Sequence, residues 1–174
     1  MKLTLQKNLT GSILDIGGGG EGIIGRIYGA QVVAIDCSAE ELAEAPDGFE
    51  KQVMDAAALG YSTASFDCVT FFYTLMYMRA EEQQKAIAEA ARVLKPGGEL
   101  HIWDADIVSA YPEPFCVDLQ VNAAGEWVHT TYGIGKLDSQ SAETVTAMCE
   151  AVGLTCKRRE TRNDQFYLQF LKIE

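Results

Sequence analysis

The chain has 174 residues, of which 48% are hydrophobic, and this length suffices for one good core but not for two ordinary domains. We therefore expect a single domain over residues 1–174. Its 14 Lys and Arg residues against 25 Asp and Glu residues give a formal net charge of -11, which disfavours nucleic acid and anionic membrane surfaces as partners. The first residues lack the apolar core of a signal peptide, and no apolar run is long enough to span a bilayer, so the expected location is the cytoplasm.

Short β-branched segments alternate with helical patterns through the first two thirds of the chain. This alternation is typical of βαβ units and a parallel sheet. A helix is predicted over 80–94, because its apolar residues share one stripe and the KPGG sequence after it cannot continue a helix. The predicted strands are 12–16, 32–36, 51–54, 66–72 and 99–103.

The last third of the chain departs from this alternation. Residues 105–136 fit no βαβ unit, and FCVDLQV and EWVHTTY, separated by NAAG, predict an inserted hairpin. An insertion after the carboxyl end of a parallel strand lies at the face where such sheets bind ligands, so we expect a lid there. A second helix is predicted over 139–152, followed by a hairpin that turns at RND.

The sequence ILDIGGGGEG joins a predicted strand to a helix through consecutive glycines. A glycine turn lets a bound group approach the backbone, and the next helix presents unpaired N–H groups at its start. Asp36 ends the second strand about twenty residues later, where a carboxylate can accept hydrogen bonds from a ribose diol. These features indicate a nucleoside-containing cofactor.

Five motifs in the same order resemble those of the class I S-adenosylmethionine-dependent methyltransferases, and the resemblance covers nearly the whole chain. The motifs are ILDIGGGGEG, AIDCS, VMDAAAL, FDCVTFFYTLMYM and AARVLKPGGELHI. The resemblance implies an α/β fold: a Rossmann-like, doubly wound, seven-stranded and mostly parallel sheet with an antiparallel last strand, here with an inserted β-hairpin. It also implies S-adenosylmethionine as the cofactor.

The implied cofactor contacts follow the order of the motifs. Asp15 would meet the methionine amino group, through water, and Asp36 would accept from the ribose hydroxyls. Asp55 would accept from the adenine amino group, and the backbone N–H of Ala56 would face the ring. The other cofactor-binding residues that the resemblance implies are Gly17, Gly18, Gly19, Cys37 and Phe72.

A nicotinamide dinucleotide is the competing cofactor. Asp36 would serve its ribose equally, and the G-x-G-x-x-G spacing is present in the same loop. The glycine turn alone does not decide between the two. The segments VMDAAAL and RVLKPGGELHI and the terminal hairpin favour S-adenosylmethionine, because they resemble the methyltransferases and classical dehydrogenase domains lack that hairpin.

Glu21 is the departure from the family pattern. It stands where the family usually has its third glycine, and glycine is displaced to Gly22. One interpretation makes Glu21 a first-turn helix residue that the helix dipole favours. The other places its carboxylate near the sulfonium or the incoming nucleophile.

Methyl transfer is an in-line displacement, and a base is needed only where the acceptor must lose a proton. The preferred catalytic candidates are Tyr73, Asp104 and His129. Each has a structural alternative: packing for the tyrosine, a surface role for the histidine and a turn role for the aspartate. No metal is expected, because the aspartates after the fifth strand lack a third ligand nearby. The further candidates are Tyr77, Asp106 and Tyr111.

The acceptor is the least determined part of the function. Only about eleven residues precede the first strand of the parallel sheet, so the acceptor pocket needs cover from 105–136, from a second subunit or from the substrate itself. The leading hypothesis is a small-molecule methyltransferase, with a homodimer as one option. A methyltransferase for a protein or other macromolecule and a non-catalytic S-adenosylmethionine-binding domain are the alternatives.

Overall fold

The computed structural model describes residues 2–108, 114–135 and 138–174. Within these residues the helices are α1 (Ile23–Tyr28), α2 (Ala39–Glu44), α3 (Ala80–Val93) and α4 (Ala142–Ala151). The strands are β1 (Lys2–Thr4), β2 (Ile13–Ile16), β3 (Val32–Asp36), β4 (Glu50–Val53), β5 (Phe66–Phe72), β6 (Leu94–Ala105), β7 (Phe115–Ala123), β8 (Glu126–Ile134), β9 (Leu154–Arg162) and β10 (Gln165–Lys172).

Seven strands form the central sheet, in the order β4-β3-β2-β5-β6-β10-β9. The first five are parallel to one another, whereas β10 runs antiparallel to both β6 and β9. The order reverses between β2 and β5, which makes that point the place where an open parallel sheet binds ligands. The predicted fold class is confirmed.

The largest differences from the predicted boundaries are at the starts of β6 and α4. β6 begins at Leu94 rather than at residue 99, because the backbone of Leu94 pairs with Phe66 before KPGG bulges out and the register resumes at Glu99. Helix α4 begins at Ala142 rather than at 139, because Ser141 caps it by accepting a hydrogen bond from the Thr144 N–H.

The inserted hairpin forms as predicted, from β7 and β8, but it does not stand alone. β1 pairs with β7 in parallel and completes a second, three-stranded sheet, with Leu3 opposite Val121. The prediction missed this pairing, because three residues carry too short a pattern to indicate a strand and their partner lies more than a hundred positions away. The inward residues Val117, Leu119 and Val121 are buried, so this sheet packs by the usual alternation.

Two apolar clusters cover the faces of the central sheet. One contains the inner residues of α3 and α4, such as Ile87 and Val145, packed with Phe71 of β5. The other contains Ile24 of α1 and Leu119 of β7, so α1 and the hairpin share one side of the sheet. The hairpin therefore lies beside the glycine loop that precedes α1.

A buried polar network joins β6 to the segment after β5. The carboxylate of Asp104 accepts hydrogen bonds from the Met76 N–H at 3.2 Å and from Gln140 Nε2 at 2.8 Å. Gln83 Nε2 in turn donates to Gln140 Oε1 at 2.6 Å and to the carbonyl oxygen of Leu75 at 2.7 Å. These side chains are almost fully buried, so the network fixes the turn at Leu75–Tyr77.

Replacing Gln140 tests this network. Gln140→Leu removes the donor to Asp104 and the acceptor for Gln83 while keeping the side chain's bulk, so we expect the free energy of unfolding to fall by about 2–4 kcal/mol. Urea unfolding followed by circular dichroism measures the change. Gln84→Leu, on the exposed side of α3, is the matched control and should alter stability little. Equal stability of the two variants would contradict the role assigned to Gln140.

Candidate functional site

A cavity of about 1030 Å³ opens at the carboxyl ends of the parallel strands. Its volume is at the upper end of the range for pockets that enclose small ligands. The loops after β2, β3, β4 and β5 form its floor and walls, and β8 adds a further wall through Thr131 and Tyr132. All nine predicted cofactor residues line it: Asp15, Gly17, Gly18, Gly19, Asp36, Cys37, Asp55, Ala56 and Phe72.

The glycine loop is packed tightly against its neighbours. A Cβ atom at Gly17 would lie 2.3 Å from Thr74 Cγ2, and one at Gly19 would lie 2.6 Å from the Cβ of Glu41. The N–H groups of Gly17 and Gly18 donate to the carbonyl oxygen of Ile35 at 2.8 and 3.0 Å. The loop is therefore bound to β3 and cannot accept side chains at these positions.

Asp15 lies beneath this loop and is buried. Thr70 Oγ1 donates to its carboxylate at 2.6 Å. The pKa of Asp15 is raised to about 7, because the effect of burial, together with a smaller effect of the negative charge of Asp36, outweighs the lowering by the Thr70 hydrogen bond. Near neutral pH this carboxyl group therefore exists in both protonation states.

Two further carboxylates are held at the rim by the backbone that follows them. Asp36 Oδ1 accepts from the Ser38 N–H at 2.9 Å, and Asp55 Oδ1 accepts from the Ala57 N–H at 2.8 Å. These turns orient each carboxylate at the end of its strand. Both side chains are thus held in place before any ligand arrives.

Tyr73 lies in the cavity wall at the end of β5. Its φ of 51° is a left-handed conformation that costs free energy for a bulky residue. Its hydroxyl donates to Gln165 Oε1 at 2.5 Å, and its ring stacks on Tyr132 with centroids 5.2 Å apart. Burial, aided by the charge of Asp104, raises the pKa of Tyr73, so the hydroxyl stays protonated at neutral pH and is a donor rather than a base.

The structure does not bring Asp104 or His129 to the cavity. Asp104 is buried in the network that holds the turn after β5. The His129 side chain is 62% exposed, and its Nε2 lies 3.2 Å from Asp118 Oδ1. Both side chains lie on the outer face of the hairpin, because strand alternation gives the inner face to Thr130. Their geometry favours the structural alternatives.

The remaining catalytic candidates lie in different places. Asp106 accepts from the Ala142 N–H at 2.8 Å and so helps to begin α4. Tyr77 is half-exposed and lines the cavity, where the Gly133 N–H bonds its hydroxyl. Tyr111 lies outside the described residues.

Glu21 is the functional residue whose contacts the sequence did not indicate. Helix α1 begins at Ile23, after Gly22 as its N-cap, so the interpretation of Glu21 as a first-turn residue is wrong. Its carboxylate instead accepts from the hydroxyl of Thr130 and, at 3.4 Å, from that of Tyr132. Two features of the sequence could have indicated these contacts. Glu21 has a side chain where the family usually has glycine, and the HTTY segment of the predicted hairpin is rich in hydroxyl groups.

Carboxylates dominate the charge of the cavity. Burial raises the pKa of Glu41, and the nearby charges of Glu44, Asp36 and Glu21 add to the shift. In the part of the chain that the structure describes, no group of three His, Cys, Asp or Glu side chains is arranged to hold a metal ion. None of the helices described is long and apolar enough to cross a membrane.

Comparison with known proteins places these features in a family. The family described as a methyltransferase domain matches residues 14–102, which run from β2 into β6. An O-methyltransferase of Penicillium expansum, cnsE, is 33% identical over 114 residues, covering 59% of this chain and 40% of the relative. The ubiquinone/menaquinone biosynthesis C-methyltransferase UbiE of Yersinia pestis is 31% identical over 98 residues, covering 56% of this chain and 36% of the relative.

The chain thus spans less than half the length of either curated relative. A solved S-adenosylmethionine-dependent methyltransferase of Methanosarcina mazei is similar in fold, with a TM-score of 0.65 at 20% identity over 97% of this chain and 94% of that one. The sequence match covers the motifs that form the floor of the cavity. The chain therefore belongs to the methyltransferase-domain family, in agreement with its predicted place among the class I S-adenosylmethionine-dependent methyltransferases.

Proposed function

We propose that this chain transfers the methyl group of S-adenosylmethionine to a small-molecule acceptor. The observation that carries the proposal is the convergence of all nine motif residues on one cavity that β8 also walls. Residues chosen from four separate motifs would not share one cavity unless the fold used them together. The family match supports the same reaction.

The residues present fit this cofactor. Asp36 and Asp55 stand at successive strand ends, where they would accept from the ribose hydroxyls and from the adenine amino group. The glycine loop and Asp15 line the same end of the cavity, where the methionine portion would bind. S-adenosylmethionine supplies an activated methyl group and its own leaving group, so the chain has to bind, orient and exclude water.

The acceptor would lie beyond Phe72, against the tyrosines of the cavity wall. Tyr73, Tyr77 and Tyr132 line this end, and β8 limits how large a molecule can enter. The acceptor pocket needs cover from 105–136, from a second subunit or from the substrate itself. Because β8 belongs to 105–136, we propose that the chain itself supplies this cover. A wall made by the chain itself favours a small acceptor over a macromolecule.

The curated relatives also support a small acceptor but leave its reactive atom open. One is named an O-methyltransferase and another a C-methyltransferase of ubiquinone and menaquinone biosynthesis. The acceptor atom's electron pair forms the bond to the methyl carbon as the sulfur–carbon bond breaks and its electron pair stays on sulfur, and any proton on the acceptor atom is lost to solvent water. Because the raised pKa of Tyr73 keeps its hydroxyl protonated, we propose that Tyr73 orients the acceptor and takes up no proton.

A labelled-methyl assay tests the proposed function. The protein is incubated with methyl-labelled S-adenosylmethionine and a metabolite extract, and the label is then counted separately in the small-molecule and macromolecular fractions. We expect label in the small-molecule fraction, and about 5- to 50-fold less with Asp36→Ala at a cofactor concentration near the wild-type Kd, because the weakened binding leaves little of the variant occupied. Label confined to the macromolecular fraction would overturn the acceptor class, and no label alongside measurable cofactor binding would indicate a non-catalytic domain.

Asp36→Ala should weaken cofactor binding. The variant loses two charge-assisted hydrogen bonds to the ribose, so we expect the Kd for S-adenosylmethionine, measured by calorimetry, to rise about 10- to 100-fold. Asp47→Ala, which removes an exposed carboxylate from the loop after α2, is the matched control and should leave the Kd near the wild-type value. A normal Kd for Asp36→Ala would remove the proposed ribose contact.

The raised pKa of Asp15 predicts a pH dependence of binding. Below a pKa of about 7 the free protein holds this proton, whereas the ammonium group of the ligand favours the carboxylate, so binding must release it. The affinity for S-adenosylhomocysteine should rise by up to about tenfold per pH unit below pH 7 and level off above it. Calorimetry from pH 5.5 to 8.5 measures this, and Asp15→Asn should bind more weakly with a flat profile. A flat wild-type profile would contradict the prediction.

A further inference from the structure

We infer that Glu21 is a positioning residue that couples the cofactor loop to β8 and so holds the acceptor-side wall of the cavity. The inference rests on the proposed function, because it assigns the two sides of the cavity to cofactor and acceptor. It concerns the one side chain in the glycine loop that the family pattern does not explain. Its evidence is a set of contacts on both sides of the cavity.

The backbone around Glu21 directs its side chain away from α1. Gly20 and Gly22 have φ of 59° and 56°, so the chain turns sharply on either side of Glu21. Arg26 Nε donates to the carbonyl oxygen of Glu21 at 2.6 Å, which fixes the peptide that carries it. The side chain is therefore held at its base before it meets the hairpin.

The carboxylate then makes two contacts to one strand. Each oxygen accepts from a different hydroxyl, Oε1 from Thr130 and Oε2 from Tyr132. Hydrogen bonds to an ionised acceptor are stronger than those between neutral groups, and Thr130 is only 4% exposed, so water competes poorly there. Glu21 thus binds β8 through two residues on its inner face.

Tyr132 extends this contact to the opposite wall. Its ring stacks on Tyr73, whose hydroxyl is held by Gln165 and whose backbone N–H donates to the Trp103 carbonyl at 2.8 Å. One residue further along β8, the Gly133 N–H bonds the hydroxyl of Tyr77. β8 therefore bridges the glycine loop on one side and the segment after β5 on the other.

This bridge predicts how a ligand on the loop affects the wall. A ligand that steadies the glycine loop also steadies Glu21, and through it Thr130 and Tyr132. Ligand binding should therefore slow the opening of β8 as well as that of the loop itself. Without the Glu21 carboxylate the glycine loop can still bind the ligand, but ligand binding should no longer slow the opening of β8.

Hydrogen exchange of the full chain, read by mass spectrometry with S-adenosylhomocysteine as the probe, tests the coupling. In wild type we expect the probe to slow exchange in both 17–22 and 126–134. In Glu21→Ala, exchange in 126–134 should be about tenfold faster without the probe and should not slow when it is added, although 17–22 still responds. Glu40→Ala, which removes an exposed carboxylate from α2, is the matched control and should behave as wild type.

Two further variants keep the test independent of folding defects. Glu21→Gln keeps one accepting oxygen and should give an intermediate response, and Tyr132→Phe should lose part of the coupling while Thr130 still bonds Glu21. A purely structural role would instead speed exchange in α3 and β6 as well. Equal protection of 126–134 by the probe in wild type and Glu21→Ala would overturn the inference.

The same experiment separates this inference from the proposed function. If the wild-type chain binds no S-adenosylhomocysteine or S-adenosylmethionine, the proposed function fails, because the cavity then does not take the cofactor. The exchange of 126–134 without any probe still decides the role of Glu21. Exchange there at the same rate in wild type and Glu21→Ala would overturn it, whereas faster exchange confined to that strand would support it.

Discussion

The close packing of the glycine loop is the constraint on which the site depends. Gly17 leaves no space for a Cβ against Thr74, and Gly19 leaves none against Glu41, so the loop is held between the segment after β5 and helix α2. The carbonyl of Ile35 binds the loop from β3. Any side chain added here would separate the elements that carry Asp36, Phe72 and Tyr73. The two ends of the cavity therefore owe their spacing to the same loop.

The sequence predicted which residues gather at the carboxyl ends of the strands, because its information there is local. Each predicted residue sits at or just after a strand end, and parallel strands bring those ends to one edge of a sheet without further detail. The partner of Glu21 could not be predicted, because Thr130 lies 109 positions away and meets it only when β7 packs on the sheet beside α1. The prediction that Asp104 and His129 are catalytic has a similar weakness. A position at a strand end or in the strand alternation suggests which face a side chain occupies, but the packing of the chain decides whether that face opens to the cavity.

The inserted hairpin has two functions that its pattern did not distinguish. Its alternate residues Val117, Leu119 and Val121 belong to the core, and β1 adds a third strand at its edge, so it is an integral layer of the fold. Its other strand, β8, supplies the hydroxyls that meet Glu21 and the ring that stacks on Tyr73. Because the hairpin is anchored by burial, the position of the wall it presents is set by the core.

The buried network around Asp104 affects the chemistry of the cavity as well as the position of its wall. Asp104 and Gln140 hold the turn that carries Tyr77, and Gln165 holds the hydroxyl of Tyr73, whose backbone is strained at the end of β5. The Asp104 carboxylate is thus committed to structure, and Tyr73 stays protonated because burial raises its pKa. In the proposed reaction the contribution of these side chains is therefore to position the acceptor. Holding a nucleophile in line with the methyl group and away from water can supply a large share of the barrier reduction, and strained, fully bonded walls are suited to it.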